Sequence, residues 1–242
     1  ITSDVRVREA FQYVVNKQAI AEGILNGSEA VADTLLAPTV PYCNVPLAIR
    51  SYNPDKANQL LDVAGWVMGA DGYRYKNGKL CEVTIYYNSN NAQERTISEY
   101  MQSDMKAVGV SLKIVGEEKQ AFLDRQRTGN FDLQYSLSWG TPYDPQSYIS
   151  SWRIPAHGDY QAQLGMAKKA WIDETVGKIL VEPNNDRRQQ MYNEILTYIH
   201  EECVYLPLTY SRTKAVYAPS LKGVTFNPSQ YEIAFEKMYF EN

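Results

Sequence analysis

The segment Trp139-Gly140-Thr141-Pro142-Tyr143-Asp144-Pro145 places an indole, a phenol and a carboxylate within one short stretch. That set suits the capture of a small ligand: the rings offer flat apolar walls and a hydroxyl. Gly140, beside the indole, permits close backbone approach. Asp144-Pro145 reads as the N-cap and first turn of a helix, whose free N–H groups favour an anion. A structural reading stands beside the functional one. Tyr143 and Tyr148 have the N′ and N4 spacing of a hydrophobic staple, and Trp139 could fill a core.

His157 and His200 are the two histidines. His157 lies in Arg153-Ile154-Pro155-Ala156-His157-Gly158-Asp159, a loop in which an imidazole serves as a ligand, a pH sensor or a bystander. His200 and Cys203 could share a metal only with two further ligands from elsewhere, and a cation near a helix C-terminus explains His200 as well. With two His and three Cys in 242 residues, an all-protein transition-metal cage is not expected. Glu117-Glu118 could form an acid–base pair of the glycosidase kind or merely complement a helix dipole. Arg125 and Arg127 could reach a carboxylate or phosphate, or stay solvated. No G-x-S-x-G, phosphate-cradling glycine loop or H-E-x-x-H occurs. A hydrolase using Glu117 or Glu118 is the rival from another functional class.

The elements that would hold these residues follow from periodicity. Val7, Phe11, Val14 and Val15 predict a helix starting at Ser3 or Asp4, and a short helix runs from Lys17 toward Leu25. Pro38, Pro41 and Pro46 predict an irregular segment up to Asn53. Asn53-Pro54-Asp55 starts a helix that Gly65 stops, and Asp71-Gly72 and Asn77-Gly78 predict a hairpin. Glu82 to Tyr87 alternates as a strand. A helix capped by Asn90 or Asn91 follows, with a stripe of Ile97, Met101, Met105 and Val108, and then a strand over 110–115. This is a βαβ unit with parallel strands. It repeats through a helix over 119–127 and a strand over 131–136, so the fold class is α/β. The Trp139 segment then leaves a strand by its carboxyl end, where open α/β sheets bind ligands. Further helices carry Ile172, Val176 and Ile179, then Met191, Ile195 and Ile199. Strands are predicted over 204–208 and 213–217, with a strand-and-turn tail beyond Pro219.

The net charge of −4 and pI near 5.3 argue against nucleic acid as a partner. No apolar run reaches the ~18 residues of a membrane span, and no charged start leads into an apolar stretch. The start at Ile1, without Met, is expected of a processed product or an excised piece. Three cysteines cannot all pair internally, and 19 tyrosines suit either adaptable ligand contact or half-buried strands.

Asp4-Val5-Arg6-Val7-Arg8-Glu9-Ala10-Phe11, Val15-Asn16-Lys17, Asn53 to Ala57 with Leu60-Leu61 and Ala64-Gly65-Trp66, Gln102 to Gly109, Ala121 to Phe131, and Val204 to Leu208 together resemble the peptide/nickel-type solute-binding proteins of ABC importers. Val31 to Leu35, Trp139 to Pro145, and Arg153-Ile154-Pro155 with His157 resemble the nickel-binding members most. The resemblance implies a type II periplasmic-binding-protein-like fold of two lobes, of which this chain is the C-terminal half. Residues 1–210 would be most of the second lobe, and residues 211–242 a tail returning to the missing N-terminal lobe. It implies a non-catalytic, periplasmic or extracytoplasmic capture protein, possible as a membrane-anchored lipoprotein. Such a protein would work with an ABC-transporter permease and touch the membrane only through the transporter or an anchor outside this chain. It also implies no intrinsic cofactor. Nickel would arrive as a chelate held by Trp139, Gly140, Tyr143 and His157, with His157 on the metal. The alternative ligand is a di- or oligopeptide. One residue departs from the pattern: a cleft tyrosine of the family stands here as Leu123.

Overall fold

The computed structural model describes residues 1–139, 144–227 and 232–241. Asp4 opens α1 (Val5–Val14) by accepting the Arg6 backbone N–H, and Val7, Ala10, Phe11 and Val14 form its buried face. Asn16 caps α2 (Lys17–Ala19), which widens into a π-helical turn over Ile20–Ile24 instead of continuing as the expected α-helix. The strand β1 (Ala30–Val31) precedes the proline-rich wrapping segment, which is irregular as expected. In α3 (Pro54–Val63) the Asn53 side chain accepts the Lys56 N–H, Pro54 occupies the first turn, and Gly65 at φ 86° follows the end. The antiparallel strands β2 (Val67–Met68), β3 (Arg74–Lys76) and β4 (Lys79–Leu80) form the small sheet, turning at Asn77-Gly78 with φ of 52° and 75°. Both positive angles are what a two-residue primed turn requires.

The parallel sheet comes next: β5 (Glu82–Asn88), α4 (Ala92–Ala107), β6 (Ser111–Glu117), α5 (Lys119–Thr128) and β7 (Leu133–Gln134). Its order is β6-β5-β7. β5 pairs with β6 from Glu82↔Ser111 to Asn88↔Glu117, and with β7 at Ile85↔Leu133 and Tyr86↔Gln134. Alternation decides the two faces. Val83, Ile85 and Tyr87 are buried with Ile97, Met101 and Met105 of α4 nearby in the core, while Tyr86 lies under Arg125 of α5 at 3.8 Å. Gly116 is required opposite Tyr87, because a Cβ there would stand 2.7 Å from the phenol. The third strand is shorter than the alternation of 131–136 suggests. Beyond it Tyr135 still donates its backbone N–H to the Tyr86 carbonyl at 3.4 Å, and its hydroxyl meets Ser98 Oγ at 2.9 Å and the Glu94 carbonyl at 3.0 Å.

A second core lies among α6 (Pro145–Ser151), α7 (Gly158–Gln163), α8 (Lys169–Ile179) and α9 (Asn185–Glu201). Tyr148, Trp152, Ile172, Val176, Ile179, Tyr192, Ile195 and Ile199 fill it, and Leu36 and Cys43 of the wrapping segment close it. Two strand expectations are corrected. Residues 204–208 form no strand, because Pro207 offers no N–H; the pairing moves to β8 (Thr209–Tyr210), antiparallel to β1. Residues 213–217 are exposed and form no strand. In the tail, β9 (Leu221–Lys222) pairs with β10 (Tyr239–Phe240), leaving Phe226, Phe235, Tyr239 and Phe240 exposed.

The wrapping segment is clasped to α9 through His200, whose Nε2 lies 2.6 Å from Arg50 Nη1 and 2.8 Å from the Ala48 carbonyl. A guanidinium can only donate and a carbonyl can only accept, so Nε2 serves one of the two at a time, and in its neutral form it accepts from Arg50. Burial first, then the Arg50 charge, push the His200 pKa below its ordinary value; the Ala48 carbonyl opposes the shift, Lys17 adds to it and Glu201 opposes it. The unfolded chain therefore binds the proton more readily. The clasp contributes fully above the unfolded histidine pKa of about 6.5 and is lost as pH falls through the lowered folded value. Urea midpoints are expected to drop from pH 7 to pH 5 by more in the native protein than in His200→Gln. Equal drops would remove His200 as the cause.

Candidate functional site

β5 and β6 end together at Asn88 and Glu117, and β7 ends at Gln134, opposite Tyr86 and two residues short of them. Five residues after β7 the chain reaches Trp139, which is 42% exposed and so plugs no core. Gly140 and Tyr143, both named above as ligand-binding candidates, lie outside the described residues. The described chain resumes at Asp144. Its side chain accepts the Gln146 N–H at 2.7 Å, and Pro145 sits in the first turn of α6.

His157 is the N-cap residue of α7, with extended backbone at φ −102° and ψ 143°. Its N–H donates to the Ile154 carbonyl at 2.9 Å and its carbonyl accepts from Gln161 at 3.2 Å. The half-buried imidazole caps nothing and makes no hydrogen bond among the described residues. Two contacts tie the neighbouring residue to α5 and, through it, to the chain just after β7. A Cβ on Gly158 would stand 3.4 Å from Gln126 Cγ of α5, and Gln126 Nε2 donates to the Tyr135 carbonyl at 3.3 Å. Gly129, left-handed at φ 68°, ends α5 against Gln161 of α7. Thus α5 joins the loop bearing His157 to the segment leading to Trp139.

Other candidates resolve differently. Arg125 donates to both Glu117 carboxylate oxygens and to the Asn130 carbonyl at 2.8 Å, so it is not free for a ligand. Hydrogen bonding from Arg125 holds the Glu117 carboxyl below the usual range. An acid kept ionised in this way is a poor proton donor at neutral pH. Glu118 is exposed at the start of α5 and Arg127 pairs with Asp124 at 3.1 Å, also in solvent. His200 belongs to the Arg50 clasp. Burial pushes the neighbouring Cys203 thiol up to about 11, far from a thiolate. Among the described residues no group of three or more His, Cys, Asp or Glu could hold a metal. A cavity of about 20 Å³ bordered by Cys43, Arg50, His200 and Tyr205 is water-sized, too small for a chelate.

Sequence reasoning missed a buried polar set beneath His157. Tyr148 of α6, 1% exposed, donates to Asp159 Oδ1 at 2.7 Å, and Gln163 Nε2 donates to the Tyr205 hydroxyl at 2.8 Å. Burial raises the Asp159 pKa, and the bonds from Tyr148 and Tyr205 oppose the rise. The available signal was an acid in the first turn of a short polar helix, indistinguishable from a solvated one.

The family of bacterial extracellular solute-binding proteins, family 5, matches residues 1–160. The nickel-binding periplasmic protein of Escherichia coli is 40% identical over 238 residues, covering 98% of this chain and 45% of that protein. The dipeptide-binding protein of Escherichia coli is 25% identical over 240 residues, covering 99% of this chain and 42% of that one. NikA from Brucella suis, solved in complex with Fe(III)-EDTA, superposes with a TM-score of 0.92 at 39% identity, over 98% of this chain and 48% of that one. The chain therefore spans a little under half the length of these relatives, with the same α/β fold, of the type II periplasmic-binding-protein-like kind. With the family matched across the parallel sheet and on through Trp139 and His157, the chain belongs to the bacterial extracellular solute-binding proteins, family 5.

Proposed function

We propose that the chain is the C-terminal part of a non-catalytic periplasmic protein that captures a nickel chelate and delivers it to the permease of an ABC importer. The observation that carries this reading is the His157 imidazole, without a hydrogen-bond partner among the described residues and on a turn that α5 joins to the segment leading to Trp139. One imidazole holds nickel weakly, so the other donors come from a small organic chelator. Trp139, Gly140 and Tyr143 would cover its apolar parts, and cations of the missing N-terminal lobe would meet its carboxylates. The 40% identity to a nickel-binding periplasmic protein supports the ligand class and the compartment. Among the described residues no helix is long and apolar enough to cross a membrane.

On this reading residues 1–210 form most of the second lobe. Residues 211–242 cross to the missing lobe, which accounts for the exposed Phe226, Phe235, Tyr239 and Phe240. The second reading, a di- or oligopeptide ligand, draws on the dipeptide-binding relative. Calorimetry of the full-length protein separates them. Nickel with L-histidine is expected to bind and dipeptides to bind weakly; tight dipeptide binding with no response to nickel and histidine would replace the first reading with the second. The isolated chain is expected to bind nickel–histidine more weakly than the full-length protein, since lobe closure completes such sites. Equal affinity would contradict the two-lobe account.

A further inference from the structure

We propose that Asp159 is a positioning residue for His157, locking the turn that carries the imidazole to α6. The argument starts from length. α7 has six residues, far too few to hold a helix by itself. Its orientation therefore depends on what ties its ends. At the first turn, Asp159, 7% exposed, accepts the Tyr148 hydroxyl at 2.7 Å. At the last residue, Gln163, fully buried, donates to the Tyr205 hydroxyl at 2.8 Å. The Tyr205 carbonyl in turn accepts Gln12 Nε2 of α1 at 2.6 Å, so the far end is tied to the other core.

Tyr148 sits in α6, which begins directly after Asp144 and the segment from Trp139. The Tyr148–Asp159 bond thus ties the turn that carries His157 to α6 by one side-chain contact. A buried carboxylate costs stability, and an apolar residue of similar size would pack there at lower cost. A carboxylate is warranted if the orientation it imposes is used. The residue it orients is two positions earlier, at the N-cap of the same short helix.

The proposal rests on the reading that His157 meets the chelated metal, and its test separates the two. In the full-length protein, the His157 ring resonances are those absent from His157→Ala. Without any nickel, Asp159→Leu is expected to shift them toward those of a free imidazole, while Asp159→Asn, which keeps an oxygen for Tyr148, leaves them in place. Tyr148→Phe removes the same bond by one oxygen and is expected to shift them as Asp159→Leu does, which covers the case in which the leucine variant does not fold. Nickel–histidine affinity should fall about tenfold in Asp159→Leu, the size typical of groups that orient a metal ligand. That loss should vanish in a His157→Ala background, because a residue acting through His157 cannot act without it. Unmoved ring resonances in Asp159→Leu and Tyr148→Phe, or losses that add, would overturn the proposal. If His157→Ala alone leaves nickel–histidine binding unchanged, the metal reading fails, and the ring resonances still decide the role of Asp159.

Discussion

Trp152→Ala is expected to lower the unfolding free energy by about 3–5 kcal/mol, the range for deleting a large buried aromatic side chain. Trp152 is fully buried at the end of α6. Its ring stands edge-on to Tyr148, with centroids 5.8 Å apart, and stacks toward Tyr205 at 6.3 Å. These are the two tyrosines that tie down α7, so the cavity left by alanine would lie under the His157 turn. The indole Nε1 has no hydrogen-bond partner among the described residues, so packing and not a polar contact accounts for the loss. Trp152→Phe keeps much of the packing and removes an unpaired donor, and should cost clearly less. Urea unfolding of both variants checks this; equal costs would mean that ring packing is not the cause.

Arg74→Leu is expected to cost about 2–5 kcal/mol, from a different mechanism. Arg74 is 3% exposed on β3. Its guanidinium donates to the Val108 carbonyl at 2.8 Å and to the Trp66 carbonyl, joining β3 to the end of α4 and to the link between α3 and β2. It also reaches Asp62 and, at 2.8 Å, Asn58. The Asp62 side chain is 62% exposed, so its charge stays solvated when Arg74 is lost and that ion pair contributes little. The two carbonyls carry the cost, at roughly 1–3 kcal/mol for each buried acceptor left unpaired. Denaturant unfolding of Arg74→Leu beside Asp62→Asn separates the effects: a large loss in the first and a small one in the second is the expected result.

Legibility in the sequence followed the range of the interactions. Asn53-Pro54, Asn91 and Asp144-Pro145 mark helix starts within a few residues, and each cap is present with its bond formed. The βαβ alternation is equally local, and the parallel pairing of β5 with β6 follows it. What was not legible is non-local or too short for a period. The partner of β1 is β8, with Ala30 opposite Tyr210. α7 carries Gly-Asp-Tyr-Gln-Ala-Gln, which has no apolar stripe, so its helix comes from the anchors at its ends. Arg125 reads as a free cation until the end of β6 brings Glu117 beside it.

The candidate site divides in the same way. Residue type and loop context single out Trp139 and His157, but the tie between the His157 turn and α5 depends on Gly158 lying against Gln126, which no spacing rule predicts. The Tyr148–Asp159 bond links residues on two different helices, and no spacing rule announces it.

The measurement that bears most directly on the account is nickel titration in the presence of L-histidine, on the full-length protein and on His157→Ala. The account predicts saturable binding that weakens by about tenfold or more in the variant, or roughly 1.4 kcal/mol. Identical affinities in the two proteins would contradict it.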